Sequence, residues 1–400
     1  MPDLSDFEFK EEPKVKSSIE ITSEGGEFQT GQMSRPIELA SDWDTVLEGF
    51  GLDPTVFYVV DDTVRMSKWQ TSKRTEDGNR DVVWLYSYKA RFARRKSADD
   101  SVDVDALCKL VEKRKPAKVT PAGSDRAFLV ALSDWQLGKG EGGGTPATVE
   151  RILGALDRSV AKAKELRKVG RGSDTVVLAG LGDIVEGCSG WYPMQEWQTD
   201  LNAREQDRLA RRLLLNFIDA YVDAEFKVLA VCVPGNHGEN RKDGKAFTDF
   251  TDNRDVSCFE TVDEILSANR SRYENVTIGL EAINEDDLTA TIELGGLSVA
   301  FAHGHQFRSG ANAPAKMEGW WKGQALGRTG VASAHLLICG HGHHFAMSES
   351  TGRVVCQVPA MDGGSKWWTS TTGQSSPAGM LTMNVGRDSG PRGWGDLAIL

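Results

Sequence analysis

The sequence contains few histidines and places none of them in its first 236 residues. All seven lie beyond that point, and six of them form three short groups: His237, then His303 and His305, then His341, His343 and His344. Histidine is the commonest metal ligand and a frequent general acid, so this uneven distribution predicts a functional site.

Other absences exclude whole classes of protein. No apolar run approaches the roughly 18 residues that a membrane span requires, and the acidic first residues do not resemble a secretory signal. The six cysteines include no CxxC pair, which predicts reduced thiols in a cytoplasmic protein without a membrane partner. The net charge of −11, from 47 basic and 58 acidic residues, excludes a generally basic binder.

Composition divides the 400 residues into four segments. Residues 1–40 predict an acidic flexible tail, since residues 1–48 carry 12 acidic and 4 basic side chains. We predict that residues 41–96 form a small α+β module. Residues 97–125 contain prolines and a charged stretch, which are typical of a linker. We predict that the rest of the chain, residues 126–400, forms the main domain.

The module over residues 41–96 combines aromatic and basic side chains. Trp84, Tyr86 and Tyr88 alternate along one predicted strand, and basic residues continue it at Lys89, Arg91, Arg94 and Arg95. Between Thr63 and Lys96 there are 10 basic and 3 acidic residues, a net charge of +7. Aromatic rings stack on bases and cations neutralise phosphates, so the pattern predicts a nucleic-acid-binding face. The alternative is a small β-core with a solvated, charged edge.

From Arg126 onward, predicted strands alternate with helices. Buried strands are predicted over Phe128–Leu132, Thr175–Ala179, Lys227–Val233, Leu336–Cys339 and Arg353–Val358, and helices over Pro146–Val169 and Asn202–Val222. Gly295-Gly296 predicts a hairpin turn. Helices early in this region and hairpins late predict an α/β fold with mixed sheets.

Polar residues follow five of the hydrophobic strands. They are Asp134 and Gln136, Asp183 and Glu186, Asn236 and His237, His303 and His305, and His341 and His343. Functional sites of α/β folds gather at the carboxyl ends of strands, so these side chains are expected on one edge. Carboxylate and amide oxygens together with imidazole nitrogens suit Mn²⁺, Fe²⁺ or Zn²⁺. Each motif alone is common in loops, but all five in order predict a metal site.

The ordered motifs resemble the calcineurin-like metallophosphoesterase superfamily, whose pattern runs D-x-H, GDxx(D/E), GNH(D/E), H and GHxH. The resemblance covers about residues 126–390, with intervals of 49, 53, 67 and 38 residues between Asp134, Asp183, Asn236, His303 and His341. It implies two mixed β-sheets in a sandwich flanked by helices. It also implies hydrolysis of phosphodiester bonds by a hydroxide activated by two divalent ions, with Mn²⁺ preferred over Fe²⁺, Zn²⁺ or Mg²⁺.

The resemblance also implies a role for each matching residue. The first ion would be held by Asp134, Gln136, Asp183 and His343. The second ion would be held by Asp183, Asn236, His303 and His341. His237 would be an uncoordinated acid beside the leaving group, so Asp183 and His237 are the catalytic candidates. Glu186, His305 and His344 are expected to support the ligands or face the substrate, and a purely structural role for the two histidines stays open.

Three departures from the family pattern affect this interpretation. Gln136 stands where the family has histidine, and its amide oxygen is a weaker donor, so the first ion is expected to bind less tightly. Gly238 follows His237 where an acid is common, which leaves Glu239 or Glu260 to orient that histidine. The arginine of protein Ser/Thr phosphatases is missing after Gly187, which favours nuclease-type and bacteriophage-encoded members, acting in the host cytoplasm.

Three functions therefore stay open at the level of sequence. The first is a nuclease-like phosphodiesterase acting on DNA or RNA, with any motor supplied by a separate partner protein. The second is a phosphatase or cyclic-nucleotide phosphodiesterase for small substrates. The third is a non-catalytic binding protein with a degenerate metal site, for which Gln136 is the only support.

Overall fold

The fold is described here from a computed structural model. The structure describes residues 16–22, 25–37, 40–54, 57–74, 80–94, 104–192, 194–242, 245–246, 249, 252–284, 286, 288–307, 313–327, 329–366, 369–370, 373 and 375–400. The chain divides into two compact units, Met1–Ser101 and Val102–Leu400. Within the described residues, no helix combines the length and the apolar character needed to cross a bilayer.

The first unit contains an antiparallel sheet and one described α-helix. Its strands are β1 (Ser18–Thr22), β2 (Gly25–Gln29), β3 (Phe57–Val59), β4 (Arg65–Arg74) and β5 (Arg80–Arg94), and its helix is α1 (Ala40–Gly49). The sheet order is β1-β2-β5-β3, and β4 also pairs with β5. A short 3-10 turn covers Asp61–Thr63.

The start of the chain differs from the predicted flexible tail. Two strands, β1 and β2, lie inside residues 1–40, and β2 pairs with β5 along its whole length. Phe28 is buried with Leu47 and Phe92, and Ile19 and Ile21 pack against this small core. The prediction of flexibility was therefore wrong for the described part of that segment, because alternating apolar residues there complete the sheet. Residues 1–15 lie outside the described residues.

The second unit contains most of the secondary structure. Its strands are β6 (Ala127–Leu132), β7 (Thr175–Gly180), β8 (Lys227–Cys232), β9 (Arg241–Lys242), β10 (Lys245–Ala246), β11 (Val276–Ile278), β12 (Ile283–Asn284), β13 (Thr289–Leu294), β14 (Leu297–Ala302), β15 (Leu336–Cys339), β16 (Ala346–Ser350), β17 (Arg353–Gln357), β18 (Leu381–Val385) and β19 (Trp394–Ile399). Its helices are α2 (Val104–Glu112), α3 (Gly144–Lys168), α4 (Gln195–Gln198), α5 (Ala203–Asp223), α6 (Arg254–Ser267) and α7 (Ala313–Gly327). Further 3-10 turns cover Leu280–Ala282, Gly330–Ser333 and Arg387–Ser389.

Two six-stranded sheets organise this unit. The first has the order β11-β8-β7-β6-β18-β19, in which β11, β8, β7 and β6 are parallel. Strand β18 pairs antiparallel with β6, and β19 pairs antiparallel with β18. The second has the order β12-β13-β14-β15-β17-β16, with parallel pairing of β14, β15 and β17. Both sheets are mixed, and each contains a parallel block whose carboxyl ends lie on one edge.

Alternating side chains place the two sheets in a sandwich. Along β6, Leu129 belongs to a core shared with Val299 and Ile338 of the second sheet. Its neighbours Phe128 and Val130 belong instead to the core formed with α3, α5 and α6. This switch follows from the two-residue period of a strand. On the outer side of the second sheet, Leu337, Val355 and Ala300 pack against Met317 and Trp321 of α7.

The predicted linker over residues 97–125 also differs from the structure. Leu107 and Val111 of α2 are buried in the same core as α6, and the side-chain amide of Asn269 donates to the carbonyls of Val111 and Arg114. The described part of the segment is therefore packed, because its charged helix carries an apolar stripe that the second unit buries. Residues 97–103 lie outside the described residues.

The fold class predicted from sequence is confirmed: the second unit is an α/β sandwich of two mixed sheets flanked by helices, and the first unit is a small α+β module. All predicted strands of the main domain form, and the Gly295-Gly296 hairpin joins β13 to β14 as expected. Helix α5 begins after Asn202, which accepts from the backbone of Glu205 in a reciprocal capping box.

Candidate metal centre

The motif residues lie where parallel strands end. Asp134 follows β6, Asp183 follows β7 and Asn236 follows β8, all in the first sheet. His303 follows β14 and His341 follows β15, in the second sheet. Because the two sheets face each other, their carboxyl ends bring these five residues into one buried cluster.

The backbone at this cluster is unusually strained. Among the described residues, nine that are not glycine have a positive φ angle, and five of these belong to the predicted site: Asp134, Gln136, Asp183, His341 and His343. Such conformations cost of order 1–3 kcal/mol each and persist only where the surroundings impose them. These turns therefore lower the stability of the fold, and they direct side chains into the cluster.

Two glycines allow the loops to approach each other. A Cβ on Gly235 would lie 2.2 Å from the backbone nitrogen of Asp183. A Cβ on Gly340 would lie 2.2 Å from the hydroxyl oxygen of Ser133 and 2.7 Å from Oδ2 of Asp134. Both distances are far below normal contact, so any larger residue there would separate the strand ends.

Donor atoms of three other residues lie close to Nε2 of His303. Its Nε2 lies 3.0 Å from Oδ2 of Asp183, 3.0 Å from Oδ1 of Asn236 and 3.2 Å from Nδ1 of His341. The donor atoms of Asp183, His303 and His341 all lie within 4.8 Å of one another. These four residues are those that the resemblance assigns to the second ion.

The other nitrogen of His303 fixes the tautomer of the ring. Nδ1 lies 2.6 Å from the carbonyl oxygen of Leu181, and a carbonyl can only accept, so Nδ1 carries a proton. Nε2 is then the nitrogen that faces a metal ion, an arrangement typical of histidine ligands, and an ion bound there would displace the proton that Nε2 carries. Burial alone would lower the pKa of His303, but the neighbouring Asp183 carboxylate outweighs it and raises the pKa to about 9.

This set fits one divalent cation. A carboxylate, an amide oxygen and two imidazoles are suitable donors for Mn²⁺, Fe²⁺ or Zn²⁺. Asp183, Asn236 and His303 are all buried. Burial and the nearby charge of His303 lower the pKa of His341 to about 4, which favours the neutral ring that a ligand requires.

The donors predicted for the first ion are arranged differently. Oε1 of Gln136 accepts a hydrogen bond of 3.0 Å from Nζ of Lys139. The same ammonium forms an ion pair with Asp362. His343 lies 3.3 Å from Asp362 through Nδ1 and 3.3 Å from Oδ1 of Asp134 through Nε2. The amide of Gln136 does not fit a divalent ion as it stands, because the Lys139 ammonium already occupies its oxygen; the carboxylate paired with Lys139, Asp362, is not among the predicted donors.

His237 lies beside the four-donor cluster and is held by other groups. Its backbone nitrogen donates to Oδ1 of Asp183 over 2.7 Å. Its Nδ1 lies 2.8 Å from the carbonyl oxygen of Glu186 and 3.4 Å from Oε2 of the same residue. The ring stacks on Trp191 with centroids 5.3 Å apart. Glu186, rather than Glu239 or Glu260, is therefore the acid in contact with this histidine.

No family model matches this chain. A search of curated proteins also finds no match. Solved structures do match. Vacuolar Protein Sorting 29 from Cryptosporidium parvum has a TM-score of 0.31 at 13% identity, covering 65% of this chain and 86% of that one. A predicted phosphoesterase from Streptococcus pneumoniae has a TM-score of 0.26 at 14% identity, covering 65% and 83%.

A structure described as a novel archaeal phosphodiesterase has a TM-score of 0.31 at 12% identity, covering 69% of this chain and 99% of that one. At these TM-scores no likeness carries an argument about what this chain does.

A buried carboxylate that the sequence analysis missed supports the cluster. Oδ2 of Asp255 accepts hydrogen bonds from the backbone nitrogens of Asp183 and Gly235, at 2.9 and 3.0 Å, and Oδ1 accepts from Ile184 at 3.0 Å. Asp255 lies in the first turn of α6, and Asn253 caps that helix by accepting from the backbone nitrogen of Asp255. The sequence Asn-x-Asp before an apolar helix indicates a helix start, but nothing local indicates which loops the carboxylate contacts.

The three supporting residues named from the sequence have different environments. Oε1 of Glu186 accepts 2.7 Å from the hydroxyl of Tyr192, and burial raises the pKa of this carboxyl. The ring of His305 lies 5.5 Å from that of His303, and burial with the charge of His303 lowers the pKa of His305 to about 3. Nδ1 of His344 contacts the carbonyl oxygen of Gly342 at 2.7 Å, within its own turn.

The proposed nucleic-acid face of the first unit does not form a single surface. Tyr88 is buried and packs edge-on against Trp43 with centroids 5.5 Å apart, so it is not available for stacking. Lys89 and Arg91 are exposed but occupy the opposite face of β5 from Trp84. Trp84 is 42% exposed. Of the remaining predicted residues, Arg94 has only its backbone described and Arg95 lies outside the described residues.

A different cation accompanies the exposed aromatic residues. Nζ of Lys68 on β4 lies 4.2 Å from the ring centroid of Trp84 and 5.5 Å from that of Tyr86. Lys68 and Tyr86 are register partners across the β4–β5 pair, so their side chains share a face. Sequence reasoning missed Lys68 because the strand pairing, and not the chain order, brings it to Trp84.

Proposed function

We propose that this chain is a metal-dependent phosphoesterase that hydrolyses phosphodiester bonds, of the kind its motifs resemble. The observation that carries the proposal is the convergence of Asp183, Asn236 and His341 on Nε2 of His303, within 3.0–3.2 Å. His237 lies next to this cluster and outside it. A cation site with an adjacent, uncoordinated histidine has the parts that phosphoester hydrolysis requires.

Each residue has a chemical role in this proposal. A divalent cation held by Asp183, Asn236, His303 and His341 would supply Lewis-acid polarisation of the phosphoryl oxygen and favour attack by water. In this role His237 would donate a proton to the leaving oxygen from Nε2, because Nδ1 is engaged by the carbonyl of Glu186.

Stacking of Trp191 under His237 limits the motion of the acid. The guanidinium carbon of Arg241 lies 3.3 Å from the centroid of the Trp191 ring, and the indole nitrogen donates 2.9 Å to the carbonyl of Asn236. With one cation and one imidazole against it, this indole supports the histidine and is not a platform for a base. The ring thus ties the acid to a cation ligand.

The substrate in the finer form of the proposal is a nucleic acid. It is supported by Trp84, Tyr86 and Lys68 on one face of the first unit, where rings and a cation could engage bases and phosphates. A small phosphodiester or a cyclic nucleotide is the competing substrate, for which this face would have no role.

The decisive experiment compares hydrolysis and cation binding in the same preparations. The substrates are bis(p-nitrophenyl) phosphate, p-nitrophenyl phosphate, a cyclic nucleotide, and single- and double-stranded DNA and RNA, each with Mn²⁺. Asp183→Ala should abolish cation binding and turnover together. His237→Ala should retain the cation and reduce turnover roughly 10²–10⁴-fold. His335→Ala is the matched control, because that histidine is exposed and outside the cluster.

The outcomes separate the three functions left open by the sequence. Diester cleavage that depends on Asp183 supports the proposal, and a preference for monoesters would indicate a phosphatase instead. Tight cation binding without hydrolysis of any substrate would contradict it in favour of a binding protein. If Lys68→Ala and Trp84→Ala weaken cleavage of DNA or RNA but not of the small diester, the nucleic-acid form is supported.

A further inference from the structure

The side chain of Lys139 lies beside residues that the family resemblance assigns to the first metal ion. Its ammonium contacts Oε1 of Gln136 at 3.0 Å and forms an ion pair with Asp362. Asp362 in turn contacts His343, which contacts Asp134. One positive side chain therefore contacts Gln136, which the resemblance assigns to the first ion, and pairs with the carboxylate that contacts His343, another assigned ligand.

The arrangement is buried and fixed at both ends. Lys139 is 9% exposed, Gln136 5% and Asp362 3%, whereas lysine is almost never buried unless it is paired. The backbone nitrogen of Lys139 donates 3.0 Å to the carbonyl of Gln136, which closes a tight turn. The backbone nitrogen of Asp362 donates 3.3 Å to the carbonyl of Asp134. The ammonium and its carboxylate are thus anchored to the same strand end.

The departure of Gln136 from the family pattern agrees with this pairing. An amide oxygen is a good acceptor for an ammonium and a weaker ligand for a divalent ion than the imidazole that the family pattern has at this position. A divalent ion sharing the acceptors of Lys139 would lie within a few ångströms of a like charge in a buried site, where such repulsion is poorly screened. Glutamine and lysine at these two positions therefore favour each other and disfavour an ion.

We infer that Lys139 replaces the first metal ion, so that the chain binds one divalent cation, at Asp183, Asn236, His303 and His341. The inference rests on the proposed function, because it takes that cation site as real. In it, the fixed ammonium supplies the positive charge that the first ion of a dinuclear centre would contribute beside the phosphate, without being exchanged or lost to chelators.

The test counts bound cations per chain after equilibrium dialysis against Mn²⁺, by elemental analysis and by titration calorimetry. We expect one ion in the wild type, with an electron paramagnetic resonance spectrum of an isolated Mn²⁺. Lys139→Met combined with Gln136→His removes the ammonium and restores the histidine, so we expect a second ion and an exchange-coupled spectrum. Lys164→Met on α3, an exposed lysine, is the control and should keep one ion.

Each result points in one direction. Two ions in the wild type would overturn the inference and leave the proposed function intact. No ion in the wild type would overturn the proposed function and the inference with it. One ion in both the wild type and a folded double variant would also overturn it, because Lys139 would then not be what excludes the second ion.

The count in the wild type decides the question even if the double variant does not fold. Asp362→Asn gives a further check that keeps Lys139. The inference expects this variant to retain one ion, since Asp362 pairs with the ammonium. Loss of the only ion in a folded Asp362→Asn protein would overturn the inference, because it would place the ion among the acceptors of Lys139.

Discussion

Asp255→Asn should weaken the protein and its cation site together. The carboxylate accepts three backbone N–H groups, from Asp183, Ile184 and Gly235, at 2.9–3.0 Å. The side chain is 1% exposed, so water cannot replace a lost acceptor. In the amide variant, the oxygen can keep the two bonds made by Oδ2, and the NH₂ group then faces the N–H of Ile184.

The magnitude follows from counting bonds. A hydrogen bond to a charged group contributes about 1.5–3 kcal/mol, and a buried donor left without an acceptor costs about 1–3 kcal/mol. One lost bond and one opposed pair of donors therefore predict a loss of about 2–3 kcal/mol in the free energy of unfolding. The loops carrying Asp183 and Asn236 are held by these bonds, so the affinity for Mn²⁺ should also fall.

The assay is urea-induced unfolding with and without Mn²⁺, together with calorimetric titration of the cation. Glu264→Gln provides the matched control, because it makes the same chemical change at an exposed position of the same helix. Surface changes of this kind usually stay within about 0.5 kcal/mol. If Asp255→Asn behaved like Glu264→Gln in both measurements, the role given to this carboxylate would be refuted.

Three further changes test other parts of the structure. Gly340→Ala should cost about 1–3 kcal/mol by overpacking and weaken cation binding, since its Cβ would lie 2.2 Å from a serine hydroxyl oxygen; unfolding curves and a Mn²⁺ titration measure both effects. Trp191→Leu removes the stack under His237 and should lower kcat by up to ~10²-fold through misplacement of the acid, with the number of bound ions unchanged. Tyr221→Phe removes a buried hydroxyl that bonds to Ser159 at 2.6 Å and should cost about 1 kcal/mol without altering the cation titration, which a metal-binding assay on the folded variant would check.

The sequence predicted the strand-end cluster because its information is local. Each motif directly follows an apolar strand, and parallel strands in one sheet end on one edge, so Asp134, Asp183 and Asn236 had to be neighbours. This kind of reasoning needs only strand order and strand direction.

The residues that were missed depend on contacts between distant parts of the chain. Lys139 meets Asp362 across 223 positions, and Asp255 meets Asp183 across 72. Neither pair has a periodic pattern or a motif that announces it. The expected aromatic and basic face differs from the structure at Tyr88 for a related reason: the alternation of β5 was read correctly, but the burial of Tyr88 depends on packing against α1.

Donors for the cation come from both halves of the second unit's sequence and from both of its sheets. Asp183 and Asn236 follow strands of the first sheet, whereas His303 and His341 follow strands of the second. A bound cation would therefore act as a cross-link between the two layers, in addition to their shared apolar core and to hydrogen bonds such as that from the backbone nitrogen of His341 to Asp134. During synthesis or refolding, the site cannot exist until the second sheet has formed and docked onto the first. Cation affinity would therefore first appear when the sandwich is complete.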